Sequence, residues 1–490
     1  MRTMKTSGAF AGKKVLIMGL GLHGGGVGSA RFFAKAGAKV TVTDLKEART
    51  LALSLEKLKG LDIDFVLGEH REENFRNADL IIKNPAVRDD SSYLATARRA
   101  GAPIETDISF FFSHTPAFII GVTGTKGKST TTALIAHILK AFGIDAHATW
   151  LPGTSVFDAL SVCTKSSVAV VELASFEIES LAPLKISPHV AVLTNIFSDH
   201  LNWHGSFERY KEAKISLFAY QRAQDCAVIN LDDPVSSMLI PKIVSQPFFY
   251  SAQCREKEIL CGACITKGTI VVKAPSFTKE LRLADCNTKL VGAHNFHNIL
   301  AALAAVAAAL SHRAFPAKGA FDEKIVIAAL TSFIPLPGRF ERVAEIRGVE
   351  FINDTAATNP GAVGAVLEAI VKEKPVVLIA GGEDKDLPYG QLAGVIAKRA
   401  KAIFLFSGSA SEKLAKALAR EGTHIPVYSG FIRMEDIVVA AFESSVPGDT
   451  ILLSPGAASF NHFAHEFARG EAFVNAVTKL KKRYGTTRAR

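Results

Sequence analysis

The sequence predicts an α/β protein of three domains, each built on a mostly parallel sheet, and three observations carry that prediction. Short apolar runs, each the length of a buried strand, alternate with helix-length stretches along most of the chain. Two of these runs pass through a glycine-rich turn straight into a helical stretch. A proline-rich segment, Ile334-Pro-Leu-Pro-Gly338, then interrupts the alternation before it resumes. At 490 residues the chain is also too long for a single core. We place the domains at residues 1–115, 116–336 and 337–490, the first ending near His114-Thr-Pro116.

In the first domain Lys14-Val-Leu-Ile-Met reads as a buried strand. Gly19-Leu-Gly21-Leu-His-Gly24 follows and opens a helix placed at Ser29 to Ala36. Lys39-Val-Thr-Val-Thr-Asp44 is the next strand. This is a βαβ unit with dinucleotide spacing and an acidic residue, Asp44, at its second strand end. The glycines admit a pyrophosphate to a helix N-terminus, so the pattern suits NAD or any other nucleotide diphosphate. Ala78-Asp-Leu-Ile-Ile is a further strand and leads into Lys83-Asn84-Pro85. A Rossmann-like domain is expected.

The second domain opens on Phe118-Ile-Ile-Gly-Val-Thr-Gly-Thr-Lys-Gly-Lys-Ser-Thr. An apolar strand runs into glycines 121, 124 and 127, then Lys128-Ser129 and a helix beginning Ala133-Leu-Ile-Ala. Glycines let successive N–H groups turn toward one anion, the helix N-terminus adds partial positive charge, and Lys128 adds a full one. Ser129 can offer its hydroxyl to Mg²⁺. The strict phosphate-loop spacing would put glycine at Val122, so this is a variant loop on a P-loop ATPase-like parallel sheet.

Val168-Ala-Val-Val-Val-Glu172 and Val190-Ala-Val-Leu-Thr-Asn195 are strands of the same sheet, the second followed by Phe197-Ser-Asp-His200. A carboxylate and an imidazole at strand ends near a phosphate loop are suited to hold metal. The helix predicted from Phe207 to Tyr220 carries Phe207, Tyr210, Leu217 and Phe218 on one face, and Lys214 falls at the centre of that stripe. An inward lysine is costly as a cation, so it is paired, neutral or modified, unless its stem reaches outward. Gly292-Ala-His-Asn295-Phe-His-Asn298 precedes an alanine-rich helix from Ile299 to Leu310, and its amides could read a base or cap the helix.

The third domain opens with Arg339-Phe-Glu and contains strands at Val349–Asp354, Val376–Ala380 running into Gly381-Gly382, Ala402–Phe406 and Thr450–Ser454, with helices between them, and is again Rossmann-like α/β. Composition narrows the remaining classes. The net charge of +10 is scattered except in the tail Lys479–Arg490, which suits small polyanions better than nucleic acid. No apolar run reaches membrane-spanning length uninterrupted, and Met1–Lys14 has no signal-like apolar core, so a cytoplasmic enzyme is expected. The pair Cys261-Gly-Ala-Cys264, with Cys254 and Cys286, invites zinc, but Ile259–Val272 alternates like a hairpin with cysteines as small core residues.

The ordered set Gly121-x-x-Gly-Thr-Lys-Gly-Lys-Ser, Glu172-Leu-Ala-Ser-Phe, Asp199-His200, Tyr210-Lys-Glu-Ala-Lys214 and Gly292-x-His-Asn-x-x-Asn298 resembles the Mur ligases, which build the peptide of the peptidoglycan precursor. Asn353-Asp-Thr-Ala-Ala-Thr-Asn-Pro360, Gly381-Gly-Glu-Asp-Lys385 and Leu453-Ser-Pro-Gly-Ala-Ala-Ser459 narrow the resemblance to the branch that adds D-glutamate to UDP-N-acetylmuramoyl-L-alanine. The resemblance implies ATP held by Gly121, Thr123, Gly124, Thr125, Lys126, Gly127, Lys128, Ser129 and Thr130, and by Asn295, Asn298, Arg339 and Asp354. It implies two Mg²⁺ ions on Ser129, Glu172, His200 and Lys214, with Lys214 a carbamate and Lys128, His200 and Lys214 catalytic. UDP would lie at Gly21, Asp44, Lys46 and Asn84, and the incoming amino acid at Thr358, Lys385 and Ser459. A monomer that neither enters a membrane nor binds nucleic acid is expected.

The chain departs from the family pattern at three points. Ala356 stands where the pattern usually has lysine. Glu466-Phe467-Ala-Arg-Gly470 displaces an aromatic by one position. Gly153-Thr154-Ser155-Val156 lacks the usual Asn. The first two bear on which amino acid is added, and the third on the sugar contacts.

Overall fold

The computed structural model describes residues 8 and 10–484, apart from 23, 86, 150–153, 200, 254–256, 291, 318–319, 371–373, 460–461 and 464. His23, Gly153, His200, Cys254 and the tail beyond Tyr484 therefore lie outside the described residues. Three sheets form in chain order. The first holds β1 (Lys14–Met18), β2 (Lys39–Asp44), β3 (Ile63–Leu67), β4 (Leu80–Lys83) and β5 (Ile104–Thr106), ordered β3-β2-β1-β4-β5 and all parallel. The strand order reverses between β2-β1 and β4, the place where a doubly wound sheet opens a crevice at its carboxyl edge.

The second sheet is nine-stranded. It runs β6 (Phe118–Thr123), β7 (Ala146–Thr149), β8 (Val168–Glu172), β9 (Val190–Leu193), β10 (Cys226–Asn230), β11 (Gln246–Ser251), β12 (Gly262–Thr266), β13 (Thr269–Ala274) and β14 (Phe277–Arg282). Spatial order is β14-β13-β12-β11-β10-β9-β6-β8-β7. Pairing is parallel from β7 to β12 and antiparallel through β13 and β14. The central strands β6 and β9 are buried at every position, which explains why they read as unbroken apolar runs. The β12–β13 hairpin is the one the alternation predicts, and Cys264 packs inside it against Ile259 and Val271. No metal-sized cluster of His, Cys, Asp and Glu occurs among the described residues.

The third sheet has β15 (Glu341–Ile346), β16 (Val349–Asn353), β17 (Val376–Ala380), β18 (Ala400–Phe406), β19 (Val427–Phe431) and β20 (Thr450–Leu453), ordered β15-β16-β20-β17-β18-β19. Only β15 is antiparallel. Separate apolar clusters cover its two faces. By contacts the chain forms two compact units: Met1–Thr288 with Phe296–Phe333, and Lys289–Asn295 with Ile334–Arg490.

The first two sheets share one continuous core, because phenylalanines from both meet there: Phe32, Phe33, Phe110 and Phe157 lie ring against ring. At the same seam Gly28 faces Ser155, and a Cβ on Gly28 would fall 2.2 Å from the serine Cβ. Three helix limits differ from expectation. The first helix starts at Gly25, four residues earlier than expected, because Gly24 (φ 100°) turns the chain directly into it. The alanine-rich helix runs Ala293–Ser311, so Asn295 and Asn298 sit within it instead of on a preceding loop. Apolar periodicity missed that polar first turn because it starts only at Ile299. The Lys214 helix is Phe207–Ile215, then a 3₁₀ turn Ser216–Phe218. Among the described residues Ala293–Ser311 is the one helix long and apolar enough to cross a membrane, and 72% of its apolar window is buried inside the protein.

Candidate active site

The loop after β6 is fixed by the end of its neighbour β9. Thr194 Oγ1 donates to the Lys126 carbonyl at 2.6 Å. The Asn195 side chain accepts from Lys126 N–H at 2.9 Å and donates to its carbonyl at 3.0 Å. Thr125 N–H donates to the Asn195 carbonyl. With its polar backbone so occupied, the loop turns at Gly124 (φ 146°) and Gly127 (φ 86°) into the helix Lys128–Ala141. A Cβ on Gly124 would fall 1.8 Å from Thr194 Oγ1, and one on Gly127 2.3 Å from Asn298 Oδ1, so each glycine answers to a side chain as well as to its φ. Gly121 differs. It lies inside β6, paired to Val171 and Ala191, and a Cβ there would press on Pro188 and Leu173. Its missing side chain serves packing rather than the anion-facing turn, which narrows the loop set to Thr123–Thr130.

Two amines converge on one carbonyl oxygen. Lys128 Nζ donates to Gly124 O at 3.1 Å and to Thr125 O at 3.3 Å, while Lys214 Nζ donates to Gly124 O at 2.9 Å. Lys214 is 1% exposed, so the inward position read from periodicity holds and the outward-reaching stem does not. Its amine lies 4.7 Å from the Tyr210 ring centre. Burial, and then the neighbouring Lys128 ammonium, hold Lys214 well below the ordinary lysine range. Tyr210 in turn shares a 3.0 Å hydrogen bond with Thr125 Oγ1, which also accepts from Phe197 N–H. The helix that carries Lys214 is thereby tied to the loop.

Glu172 ends β8, on the other side of β6, and its buried Oε2 has no hydrogen-bond partner. Such an orphan is expensive unless a cation or a ligand group meets it. Ser129 is buried in the first turn of the loop helix. Asp199 lies 3.6 Å from Lys126 Nζ. Glu177, five residues past Glu172, accepts from Ala174 N–H at 2.6 Å. Burial pushes its carboxyl up to about 8, with the charges of Asp107 and Glu172 adding to the rise. His204 is buried between Ser175 Oγ (2.8 Å) and Glu179 (3.6 Å).

The other two sheets repeat the arrangement of three adjacent strand ends. At β2-β1-β4, Asp44 accepts from Gly21 N–H at 3.1 Å and Lys46 N–H at 2.9 Å, and Asn84 packs beneath Gly19 and Gly21. Asp44 therefore shapes the glycine turn with both its oxygens. At β16-β20-β17 lie the loops bearing Thr358, Ser459 and Lys385. Asp354 accepts from Phe340 N–H and from Ser454 Oγ, which fixes the chain just after Arg339.

Family models match along the chain in this order: a Mur ligase MurD-like N-terminal domain over residues 13–106, a Mur ligase middle domain over 122–306, and a Mur ligase glutamate ligase domain over 338–456. The UDP-N-acetylmuramoylalanine–D-glutamate ligase of Roseiflexus sp. (strain RS-1) is 41% identical over 471 residues, 95% of this chain and 98% of that protein. The chain belongs to the Mur ligase family. The Treponema pallidum protein of the same name is 35% identical, covering 95% of this chain and 97% of its own length. Among solved structures, the Thermotoga maritima UDP-N-acetylmuramate–alanine ligase shares the fold at TM-score 0.63 and 22% identity, over 96% of this chain and 100% of that one. A pseudomurein peptide ligase type C from Methanothermus fervidus does so at TM-score 0.58 and 20% identity, again over 96% and 100%.

In this Mur ligase, reading the pattern alone missed several residues that build the site. Thr194 and Asn195 hold the phosphate loop, and the only signal for them was a polar pair closing an apolar strand. Arg469 is 1% exposed and donates to Thr355 Oγ1, Thr355 O and Ala457 O, joining the loops that carry Thr358 and Ser459. Gly470 beside it leaves no room for a Cβ against Thr355. In the departing segment 153–156, Ser155 caps the helix Val156–Val162, forming a capping box with Asp158.

Proposed function

We infer that this Mur ligase is a UDP-N-acetylmuramoylalanine–D-glutamate ligase, forming an amide between D-glutamate and UDP-N-acetylmuramoyl-L-alanine in peptidoglycan synthesis while ATP becomes ADP and phosphate. The observation that carries the reading is end-to-end similarity at 41% identity, joined to a phosphate loop on which Lys128 and Lys214 converge. The three domains at 1–115, 116–336 and 337–490 divide the substrates. The first takes UDP at Gly21, Asp44, Lys46 and Asn84. The second takes ATP on Thr123–Thr130 and Asn298, and the family resemblance adds Asn295, Arg339 and Asp354 to the ATP-binding residues. The third takes D-glutamate at Thr358, Lys385 and Ser459. The enzyme works as a cytoplasmic monomer.

Magnesium fits the donor set. Glu172 offers an orphaned buried carboxylate oxygen and Ser129 a buried hydroxyl, and the family resemblance adds His200 and Lys214 to the metal-holding residues. Two ions would neutralise the phosphate oxygens as charge develops on them. A Lys214 amine held below the ordinary range supplies the neutral nucleophile that CO₂ needs, which supports its presence as a carbamate anion.

In the first step an oxygen of the alanyl carboxylate attacks the γ-phosphorus in line. The bond to the β-bridging oxygen breaks, and ADP leaves an acyl phosphate. Lys128, which donates here to the loop carbonyls, would turn to the phosphate and stabilise the charge in transfer. The uncharged amine of D-glutamate then attacks the acyl carbon, and the tetrahedral intermediate expels phosphate. The deciding experiment measures phosphate release with UDP-N-acetylmuramoyl-L-alanine against D-glutamate, L-glutamate and other amino acids. Turnover confined to D-glutamate is expected, and turnover with another amino acid alone would overturn the reading.

A further inference from the structure

We propose that Phe197 is the residue that recognises the alanyl side chain of the nucleotide acceptor, and so sets the enzyme's preference for an acceptor ending in L-alanine over one ending in glycine. The proposal rests on the ligase reading above. Phe197 follows β9 on the segment wrapped around the phosphate loop, and it is 54% exposed while Ile196 beside it is 1% exposed. Its backbone is pinned, because Phe197 N–H donates to Thr125 Oγ1 at 2.9 Å and the same hydroxyl lies 3.1 Å from Phe197 O. The Phe197 backbone is thus anchored on the phosphate loop, whose own side chains are polar or charged. A large apolar side chain carried there and left exposed offers an apolar contact to a ligand bound at the loop.

The position along the loop selects that partner. Asn298 overlies Gly127, where the loop enters its helix. The amines of Lys128 and Lys214 meet at Gly124 O, next to Thr125, at the other end of the loop. The phosphoryl group in transfer belongs where those amines meet, and the carboxylate that receives it must lie in line with it. The atoms next to that carboxylate are the alanyl Cα and its methyl group. Phe197, anchored on Thr125, is on hand to cover the methyl, whereas the ATP contact proposed for Asn298 lies at the other end of the loop. An apolar pocket discriminates one methyl group by about 10- to 200-fold.

The test compares kcat/KM for UDP-N-acetylmuramoyl-L-alanine and UDP-N-acetylmuramoyl-glycine, with D-glutamate and ATP, in the full chain and in Phe197→Ser and Phe197→Leu. Calorimetric Kd values for the two nucleotides without ATP serve as a second measurement if the serine variant turns over too slowly. The natural enzyme should favour the alanyl acceptor by roughly 10-fold or more. Phe197→Ser should bring the ratio within about 3-fold of unity, and Phe197→Leu should retain most of it. A ratio unchanged in Phe197→Ser, by rates or by Kd, overturns the proposal and leaves the ligase reading intact. A natural enzyme that turns over neither acceptor overturns both.

Discussion

Replacing Lys214 tests the central chemistry most directly. The side chain is buried and its amine donates to Gly124 O, but Lys128 also reaches that oxygen, so the loop keeps a donor when Lys214 is lost. Lys214→Ala removes a buried aliphatic stem beside Tyr210, which by itself costs about 2–4 kcal/mol of stability. Lys214→Met fills that space and removes only the amine, separating packing from charge. If the amine carries a carbamate, both variants lose a ligand for the magnesium that would neutralise the transferring phosphoryl group, and kcat should fall about 10²–10³-fold, equal to about 3–4 kcal/mol. The lowered basicity of Lys214 makes the modification feasible. An amine at the ordinary value would be neutral in roughly one molecule per thousand at pH 7.5, and each unit of lowering multiplies that tenfold. The assay is phosphate release in CO₂-free buffer, with and without bicarbonate, formate or acetate. The natural enzyme should slow without CO₂ and recover with bicarbonate, while Lys214→Ala should recover about tenfold with a short carboxylate that occupies the vacated space. After incubation with ¹³C-bicarbonate, a carbamate signal should appear in the natural protein only. Lys214→Met with full turnover in CO₂-free buffer would refute the reasoning.

Three further outcomes follow from the geometry. Gly124→Ala sets a methyl against Thr194 Oγ1 at a φ of 146°, so the loop must shift; the KM for ATP should rise about tenfold or more, and an unchanged KM would show that the loop geometry is not what binds phosphate. Arg469→Ala strands the Thr355 and Ala457 carbonyls in the core at about 1–3 kcal/mol each, so the urea midpoint should fall and the KM for D-glutamate should rise more than that for ATP; an unfolding free energy within about 0.5 kcal/mol of the natural protein would count against it. Burial pushes Glu177 up to about 8 from an ordinary 4.5, so its contribution to stability is fully present below pH 4.5 and lost as pH rises through 8. Glu177→Gln keeps the hydrogen bond from Ala174 without the charge. It should therefore melt above the natural protein at pH 9 and close to it at pH 5, with equal melting curves at pH 9 as the contrary result.

Much of the site was legible because its chemistry is written in contiguous residues. The phosphate loop, Glu172 at the end of an apolar run and Lys214 in the middle of an apolar stripe all follow from local spacing. The apolar strands read correctly because a strand buried on both faces has few other compositions open to it. The readings that failed share a cause. The helix through Asn295 was begun too late because periodicity reports which side of a helix is buried, and its first polar turn carries no such stripe. Gly121 was grouped with the loop because a glycine in sequence does not say whether it frees a φ angle or vacates space for Pro188.

The sequence by itself determined the three sheets, the loop between β6 and its helix, and the order of the motifs, since each depends on residues close along the chain. Only the tertiary structure decided that Thr194 clamps a loop 71 residues away, that Arg469 joins Thr355 across 114 residues, and that Lys214 and Lys128 share one carbonyl. The physical reason is that hydrophobic patterning sets how much of each element is buried but is indifferent to what it is buried against. Which strand ends become neighbours depends on the crossovers and on side-chain fit summed over the whole chain, and the charge state of Lys214 depends on what those crossovers bring beside it.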